Sequence, residues 1–175
     1  MAALVELVRA GEISPSAAEV AAQAGVGLRS VFRHFKDMEG LFKGMTEIVE
    51  AELRAEAAKP FMGVTWRERV LEIVDRRSVG FEGLAPIRRA ADVRRHTSPV
   101  LQDDYERFAA GLRHILRLQL PTGGIDASLL DVLDLLLSFE AWSRLRTEQG
   151  LTPIEAREVL RFAVRTLIGD DDAAA

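Results

Sequence analysis

The chain has 175 residues, no cysteine and a formal net charge of −4 at pH 7. That length is sufficient for one compact unit, or for two small subdomains with a buried core. The lack of cysteine excludes disulfides, cysteine-based zinc fingers and thiol chemistry. His34, His96 and His114 lie too far apart in the sequence for a local metal motif, so we expect neither a metal nor a cofactor.

No segment of the sequence has the length and apolarity of a membrane-spanning helix. The run of three leucines at residues 135–137 is flanked by Asp134 and Glu140, whereas a span requires about 20 predominantly apolar residues. The N-terminus lacks the pattern of a signal peptide, because Glu6 and Arg9 interrupt its apolar stretch. We therefore expect a cytoplasmic protein that does not associate with a membrane.

The charges are distributed unevenly along the chain. Between Gly25 and Met45 there are four basic residues and two acidic ones, whereas residues 170–172 are three consecutive aspartates. Steering toward phosphates and release of counterions depend on the surface that makes contact and not on the net charge. A nucleic-acid interface in the N-terminal part is therefore compatible with the acidic total.

Apolar residues recur at intervals of three and four, and no stretch shows the sustained alternation of a strand. The sequence therefore predicts an all-α fold. Ser/Thr-x-x-Glu capping boxes mark three helix starts, at Ser16, Thr65 and Thr152. Glycines and prolines supply the remaining breaks. The nine predicted helices span residues 2–10, 16–24, 28–34, 38–58, 65–82, 86–96, 99–119, 126–149 and 152–168.

The first three predicted helices are short, which indicates a small three-helix N-terminal unit ahead of a larger helical bundle. Residues 16–35 contain two short helices around Gly25-Val26-Gly27, as in a helix-turn-helix. Gly25 can adopt a positive φ that ends the first helix, and we expect Val26 to fill the space beneath the turn.

On the second helix of this pair, Val31 and Phe35 lie four residues apart and are expected to face inward toward Val20. The opposite surface carries arginine, which can bind guanine acceptors, together with serine and histidine, which can bind base edges or phosphates. A packed helical hairpin without a DNA-binding role has the same pattern, so the residues alone leave both interpretations open. The outward positions are Leu28, Arg29, Ser30, Arg33 and His34.

Residues 19–42 read Glu-Val-Ala-x-x-Ala-Gly-Val-Gly-x-x-Ser-Val-Phe-x-His-Phe-Lys-Asp-x-Glu-x-Leu-Phe, which resembles the DNA-binding signature of the TetR family of transcription regulators. The resemblance implies a repressor that binds a palindromic double-stranded operator as a homodimer and is released by a small-molecule effector. It assigns residues 1–45 to DNA binding and residues 46–175 to ligand binding and dimerisation. The DNA-binding residues that we predict are Ser16, Leu28, Arg29, Ser30, Phe32, Arg33, His34 and Lys36, with Arg29 first for base recognition.

Two positions depart from the family pattern. Phe32 stands where a phosphate-binding tyrosine is usual, and Met38 stands where the family often has a lysine, so Lys36 is expected to serve instead. These departures favour an alternative, a helical small-molecule-binding or scaffolding dimer that has the same fold but binds DNA weakly or not at all.

The C-terminal residues 142–164 resemble, more loosely, the last two helices of TetR-type proteins, which pair with a second subunit. Predicted helix 126–149 has apolar residues on more than one face, as expected if a partner covers the surplus. A deeply buried helix in a monomer is the alternative. The interface residues that we predict are Leu133, Leu137, Trp142, Val159, Phe162, Ala163 and Leu167.

The middle helices are expected, by the same resemblance, to hold an effector pocket. No Ser/His/acid arrangement, paired-carboxylate pattern or phosphate-binding glycine loop is present in the sequence, so we do not expect an enzyme. The side chains that we predict to line the pocket are Trp66, Phe81, Arg94, His96, Tyr105 and Trp142.

Overall fold

A computed structural model describes residues 1–123 and 126–169 of the chain, and over these residues it contains nine α-helices, one π-helical turn and no strand. The predicted all-α class is thus confirmed. The acidic residues 170–172 lie outside the described part. The elements are α1 (Ala2–Arg9), α2 (Ala17–Gln23), α3 (Leu28–His34), α4 (Met38–Ala57), α5 (Trp66–Arg95), α6 (Pro99–Gln119), α7 (Ala127–Leu136), α8 (Phe139–Ser143), the π turn (Arg144–Glu148) and α9 (Pro153–Ile168).

The predicted capping boxes begin their helices as expected. At the start of α2, the backbone N–H of Glu19 donates to Ser16 Oγ at 3.2 Å, and the N–H of Ser16 donates to Glu19 Oε2 at 2.7 Å. Thr152 and Glu155 form the same reciprocal pair at the start of α9. These hydrogen bonds hold the pKa of both glutamates below the usual value, because they stabilise the carboxylate form.

Helix α5 is one continuous helix, so the predicted break between residues 82 and 86 is wrong. Pro86 lies inside the helix and has no N–H to donate to the carbonyl of Glu82. The apolar spacing nevertheless continues through the proline, since Leu84, Ile87 and Ala91 are all buried. Burial of this face outweighs the loss of one helical hydrogen bond.

The predicted helix 126–149 is also wrong in its continuity, because α7 ends at Leu136 and a new helix begins after Ser138. Ser138 Oγ accepts a hydrogen bond from the N–H of Ala141 at 3.1 Å, which is a helix N-cap. Glu82 of α5 then accepts hydrogen bonds from Trp142 Nε1 at 2.9 Å and Arg146 Nε at 2.7 Å. These contacts hold α8 and the π turn against α5.

The chain divides into two compact units. Unit 1 comprises residues 1–54 and 84–108, and unit 2 comprises residues 55–83 and 109–175 as far as they are described. The helix-turn-helix segment lies wholly in unit 1. The functional boundary at residue 45 stays a prediction. Buried apolar residues of unit 1 include Leu4, Val8, Val20, Val31, Leu41, Phe42, Met45, Leu84 and Ile87.

Unit 2 has its own apolar core. Phe81 meets Phe139 edge to face, with ring centroids 5.5 Å apart. Arg77 is buried in the same unit, and burial lowers its pKa to about 10 although the charge of Asp134 opposes the effect. Other buried apolar residues are Val70, Ile73, Val74, Leu116, Leu133, Leu137, Trp142, Leu160 and Val164.

Candidate nucleic-acid interface

The turn of the helix-turn-helix is fixed by backbone hydrogen bonds around a left-handed glycine. Gly25 has φ +64, which residues with a side chain rarely adopt. The N–H of Val26 donates to the carbonyl of Ala21 at 3.0 Å, and the N–H of Gly25 donates to that of Ala22 at 3.1 Å. This is a Schellman motif. The predicted role of Gly25 agrees with this geometry.

The expectation that Val26 fills the space beneath the turn is wrong, because its side chain is 45% exposed. Val20, Ala21 and Val31 are buried in its place. The hydrogen bonds of the turn hold its backbone without a buried apolar side chain from Val26.

Helix α3 divides into a buried side and an exposed side, as the spacing predicts. Val31 is buried and Phe35 is half-buried. The outward side carries three exposed basic groups close to one another in sequence, Arg29, Arg33 and His34, and Lys36 follows directly after the helix. This is the division of faces that a DNA-reading helix requires.

The exposed cations of this face are not neutralised by carboxylates of the same chain. Over residues 1–123 and 126–169, no ion pair engages Arg29, Arg33 or Lys36. The nearby acids serve other contacts, since Asp37 Oδ1 accepts from the N–H of Gly40 at 2.9 Å and Glu39 accepts from the hydroxyl of Ser98, directly before α6. The basic groups therefore face solvent with their charges available to phosphates.

The remaining predicted contact residues differ in how free they are. Leu28 and Phe32 are exposed, and Ser30 is half-buried. Ser16 is exposed, but its hydroxyl contacts Glu19 in the capping box, so it is committed to the start of α2. Met38, at the first position of α4, is half-buried.

The helix-turn-helix unit is held by side chains that the sequence did not associate with it. Arg94 of α5 donates from Nη2 to Ser14 Oγ at 2.9 Å, and its guanidinium carbon lies 4.4 Å from the ring centroid of Phe42. The hydroxyl of Ser98 donates to Glu39. No local sequence signal predicts these contacts, because their partners lie 52 to 80 residues apart.

A buried charged cluster lies deeper in unit 1. Arg88 donates from Nη2 to Glu50 Oε1 at 3.1 Å, and its guanidinium lies 4.0 Å from the ring centroid of Phe108. Asp104 is buried nearby and accepts from Arg107 at 2.9 Å. Burial raises the pKa of Glu50, and the charge of Asp104 raises it further, although the surrounding arginines act in the opposite direction.

Three of the predicted pocket residues lie in unit 2. Phe81 and Trp142 are buried, the former against Phe139 and the latter hydrogen-bonded to Glu82. Trp66 is half-buried at the start of α5. All three contribute to packing or to a helix start, and a role in ligand binding stays a prediction.

The other three predicted pocket residues lie in unit 1, so the six are not collected in one unit. Tyr105 lies beneath the guanidinium of Arg95, 4.1 Å from its ring centroid. His96 is exposed just after α5 ends. Arg94 contacts Ser14 and Phe42, as described above.

The predicted dimer residues fall into two groups by burial. Leu133, Leu137 and Trp142 are buried within the chain itself, so the expectation that they present area to a partner does not fit their surroundings. The α9 residues remain accessible: Phe162 is 74% exposed, Val159 and Leu167 are exposed, and Ala163 is half-buried.

A charged cleft of about 410 Å³ lies in unit 2 and was not predicted from the sequence. Arg161 Nη1 lies 2.5 Å from Asp75 Oδ2, and Arg157 pairs with the same carboxylate and with Glu158. The four-residue spacing of three arginines on α9 is the signal that could have indicated it. Its lining residues are Asp75, Arg157, Glu158, Arg161 and Arg165.

The described residues contain no cluster of three His, Cys, Asp or Glu side chains arranged to hold a metal ion. Among the same residues, no helix has the length and apolarity needed to cross a bilayer.

Two solved structures resemble the chain over nearly its whole length. One, from Rhodococcus sp., is assigned to the TetR family of transcriptional regulators; its TM-score is 0.76, with 19% identity over 96% of this chain and 95% of that chain. The other is a transcriptional regulator from Rhodococcus sp. Rha1, with a TM-score of 0.72 and 22% identity over 95% of this chain and 92% of that chain. No protein-family model matches the sequence, and no curated protein matches it.

The fold and the exposed α3 define an all-α protein with an N-terminal helix-turn-helix. More specifically, its fold is that of the TetR-type transcriptional regulators, as the resemblance of residues 19–42 had indicated.

Proposed function

We propose that this protein is a transcription regulator that binds double-stranded DNA through α3. The observation that carries the proposal is the basic outward face of α3, which lies on a helix-turn-helix and is free of carboxylate partners among the described residues. The TetR-type fold supports the same function, because its solved examples from Rhodococcus are described as transcriptional regulators.

On this proposal, α3 lies in the major groove and its residues divide the work of recognition. Arg29, in the first turn of α3, binds a guanine through its two terminal nitrogens, while Ser30 and Arg33 bind base edges or phosphates. His34 and Lys36 bind the phosphate backbone, since each can donate to phosphate oxygen without reading sequence.

We propose further that the protein acts as a homodimer through an exposed apolar stripe on α9. Val159, Phe162 and Ala163 recur at the three- and four-residue spacing of one helix face, and Leu167 lies beside them. An exposed face of this kind is costly in water unless a partner covers it. Two-fold symmetry then presents two α3 helices, which predicts a palindromic operator.

The family resemblance supports a cytoplasmic repressor that a small-molecule effector releases from DNA. In such a protein the effector binds the conformation with displaced α3 helices more tightly and lowers operator affinity by the same coupling free energy, commonly about 1–3 kcal/mol. The side chains that we propose for its pocket are the six predicted from the sequence.

A second function is favoured by two residues at the interface itself. Phe32 offers no hydroxyl to phosphate and Met38 offers no charge, so a helical ligand-binding dimer with weak or no DNA affinity is the competing proposal. In that case α3 would keep the geometry of a helix-turn-helix but would not bind DNA tightly.

Selection of duplexes from a random-sequence pool by the purified protein distinguishes the two. We expect an enriched palindrome that shifts in an electrophoretic mobility assay at low salt, and a scrambled duplex that shifts only at higher protein concentration. If no sequence is enriched and no duplex shifts at low salt, the regulator proposal is contradicted and the ligand-binding dimer is favoured.

A further inference from the structure

The last turn of α5 and the residue before α6 contact the chain on both sides of the helix-turn-helix. Arg94, in the last turn of α5, donates from Nη2 to Ser14 Oγ at 2.9 Å, and its guanidinium lies 4.4 Å from the ring centroid of Phe42. Ser98, directly before α6, donates its hydroxyl to Glu39. We refer to Arg94 and Ser98 together as the α5–α6 clamp.

The two contacts lie on opposite sides of the helix-turn-helix along the chain. Ser14 stands two residues before Ser16, the N-cap of α2, so Arg94 contacts the chain just ahead of α2. Glu39 and Phe42 lie in the first turns of α4, which starts four residues after the end of α3. The clamp therefore contacts the chain on both sides of the α2–α3 pair, within unit 1.

Arg94 is not arranged for the greatest stability. Its Nη1 is buried and has no hydrogen-bond partner among the described residues. A buried donor without an acceptor costs free energy, so a shorter apolar side chain at this position would avoid that loss. The contacts that Arg94 does make, to the Ser14 hydroxyl and to the face of the buried Phe42 ring, depend on direction. They therefore restrict the positions of these two residues more than they bury apolar surface.

We propose that Arg94 is a positioning residue for operator binding: it orients α3 for the major groove without contacting DNA itself. This inference rests on the proposed DNA-binding function. A change in α3 orientation weakens base-specific contacts more than contacts to phosphate, because bidentate binding of a base edge tolerates little displacement.

The test measures the affinity of the full chain for two fluorescent duplexes at one salt concentration, one selected from a random pool by the wild-type protein and one with its sequence scrambled. Arg94→Ala is expected to weaken binding to the selected duplex about tenfold, or about 1.4 kcal/mol, and to leave the scrambled duplex nearly unchanged. Ser14→Ala is expected to lower the affinity for the selected duplex by a smaller factor than Arg94→Ala does. The double variant should have the same affinity as Arg94→Ala alone.

The matched control is Arg89→Ala, which removes the same charge from an exposed position on the same helix and in the same unit. It should bind both duplexes like wild type. Arg94→Lys keeps a cation near Phe42 and should recover part of the lost affinity.

Equal affinities for the Arg94→Ala and Arg89→Ala proteins would overturn the inference, and so would an equal loss on both duplexes. If Arg94→Ala proves unfolded by circular dichroism, Ser14→Ala decides, since Ser14 is exposed and loses only a hydroxyl; unchanged affinity of that variant overturns the inference. A wild-type protein that does not distinguish the two duplexes contradicts the proposed function itself, and the inference with it.

Discussion

Arg77 donates from Nη1 to the carbonyl oxygen of Leu137 at 2.6 Å, across 60 residues of sequence. Its Nη2 donates to the carbonyl of Leu112 at 2.6 Å. Leu137 is the C-cap of α7, where helical carbonyls lose their helical partners. One buried guanidinium thus donates hydrogen bonds to a carbonyl at the end of α7 and to a second carbonyl in unit 2. These bonds reduce the free-energy cost of ending α7 before α8 begins.

Arg77→Ala is expected to destabilise the protein by roughly 2–5 kcal/mol, because it leaves two carbonyls in a buried environment without this donor. For a chain of this size that corresponds to a fall in Tm of about 4–20 °C. Differential scanning calorimetry measures it. Arg117→Ala, at an exposed position on α6 of the same unit, is the control and should melt like wild type. A matching Tm for the two variants would mean that Arg77 does not support the helix end.

Glu50 gives the folded state a dependence on pH. Its pKa is raised by burial and by Asp104, against the opposing charges of Arg88, Arg54 and Arg107. The folded state therefore holds this proton more tightly than the unfolded chain does. As pH rises from the unfolded pKa near 4.5 through the raised folded pKa, stability falls, and it levels off above that pKa.

We therefore expect Glu50→Gln to be more favourable, relative to wild type, at pH 7 than at pH 4, because the amide cannot ionise. Urea denaturation at both pH values measures the difference. Glu47→Gln, an exposed position one turn earlier on α4, should show no such change. A stability difference between Glu50→Gln and wild type that is independent of pH would contradict the raised pKa.

The parts of the fold that the sequence predicts correctly are those governed by neighbouring residues. Ser16 with Glu19 and Thr152 with Glu155 start helices within four residues, and Gly25 ends one by its own backbone conformation. Such signals do not depend on the rest of the molecule. They place the helix-turn-helix correctly.

The parts that fail depend on distant partners. Pro86 indicates a break, but burial of Leu84 and Ile87 keeps α5 continuous. The long apolar segment after residue 126 indicates one helix, but Arg77 and the cap at Ser138 end it early. No periodicity in the local sequence reports these contacts.

The candidate site shows the same limit. The exposed residues of α3 follow from helical spacing, whereas the role of Arg94 does not, because its partners are Ser14 and Phe42 and its residue type also suits a pocket. Leu133 and Leu137 were equally consistent with a subunit interface and with a core, and only burial distinguishes the two.

Phe162→Glu is expected to dissociate the proposed dimer. The side chain is 74% exposed on α9, so the change creates no cavity in the subunit, but it places a charge in the apolar stripe that a partner would cover. Sedimentation velocity should show a shift from dimer to monomer. Ile154→Glu, at a 66% exposed position in the first turn of α9 and away from the stripe, should remain dimeric. A dimeric Phe162→Glu protein would move the interface to another face.

Removal of the Arg29 side chain and removal of the Lys36 side chain are expected to weaken DNA binding in different ways. Arg29→Ala should cost about 1–3 kcal/mol on the selected duplex and relax the base preference at one position, because it deletes a bidentate contact to a base edge. Lys36→Ala should lower the affinity for the selected and the scrambled duplex by the same factor, because it deletes a phosphate contact. The slope of log affinity against log salt concentration should become shallower by about 1 for each Lys36 side chain that contacts DNA.

Fluorescence anisotropy titrations at several salt concentrations measure both effects, and Lys59→Ala, an exposed lysine of unit 2 outside the interface, is the control for loss of one positive charge. If Arg29→Ala lowered the affinity for both duplexes by the same factor, Arg29 would be a phosphate contact, and base recognition would pass to Ser30 and Arg33. That outcome would also be compatible with an exposed Phe32 packing against sugar, since a helix rotated toward the backbone brings both side chains away from the base edges.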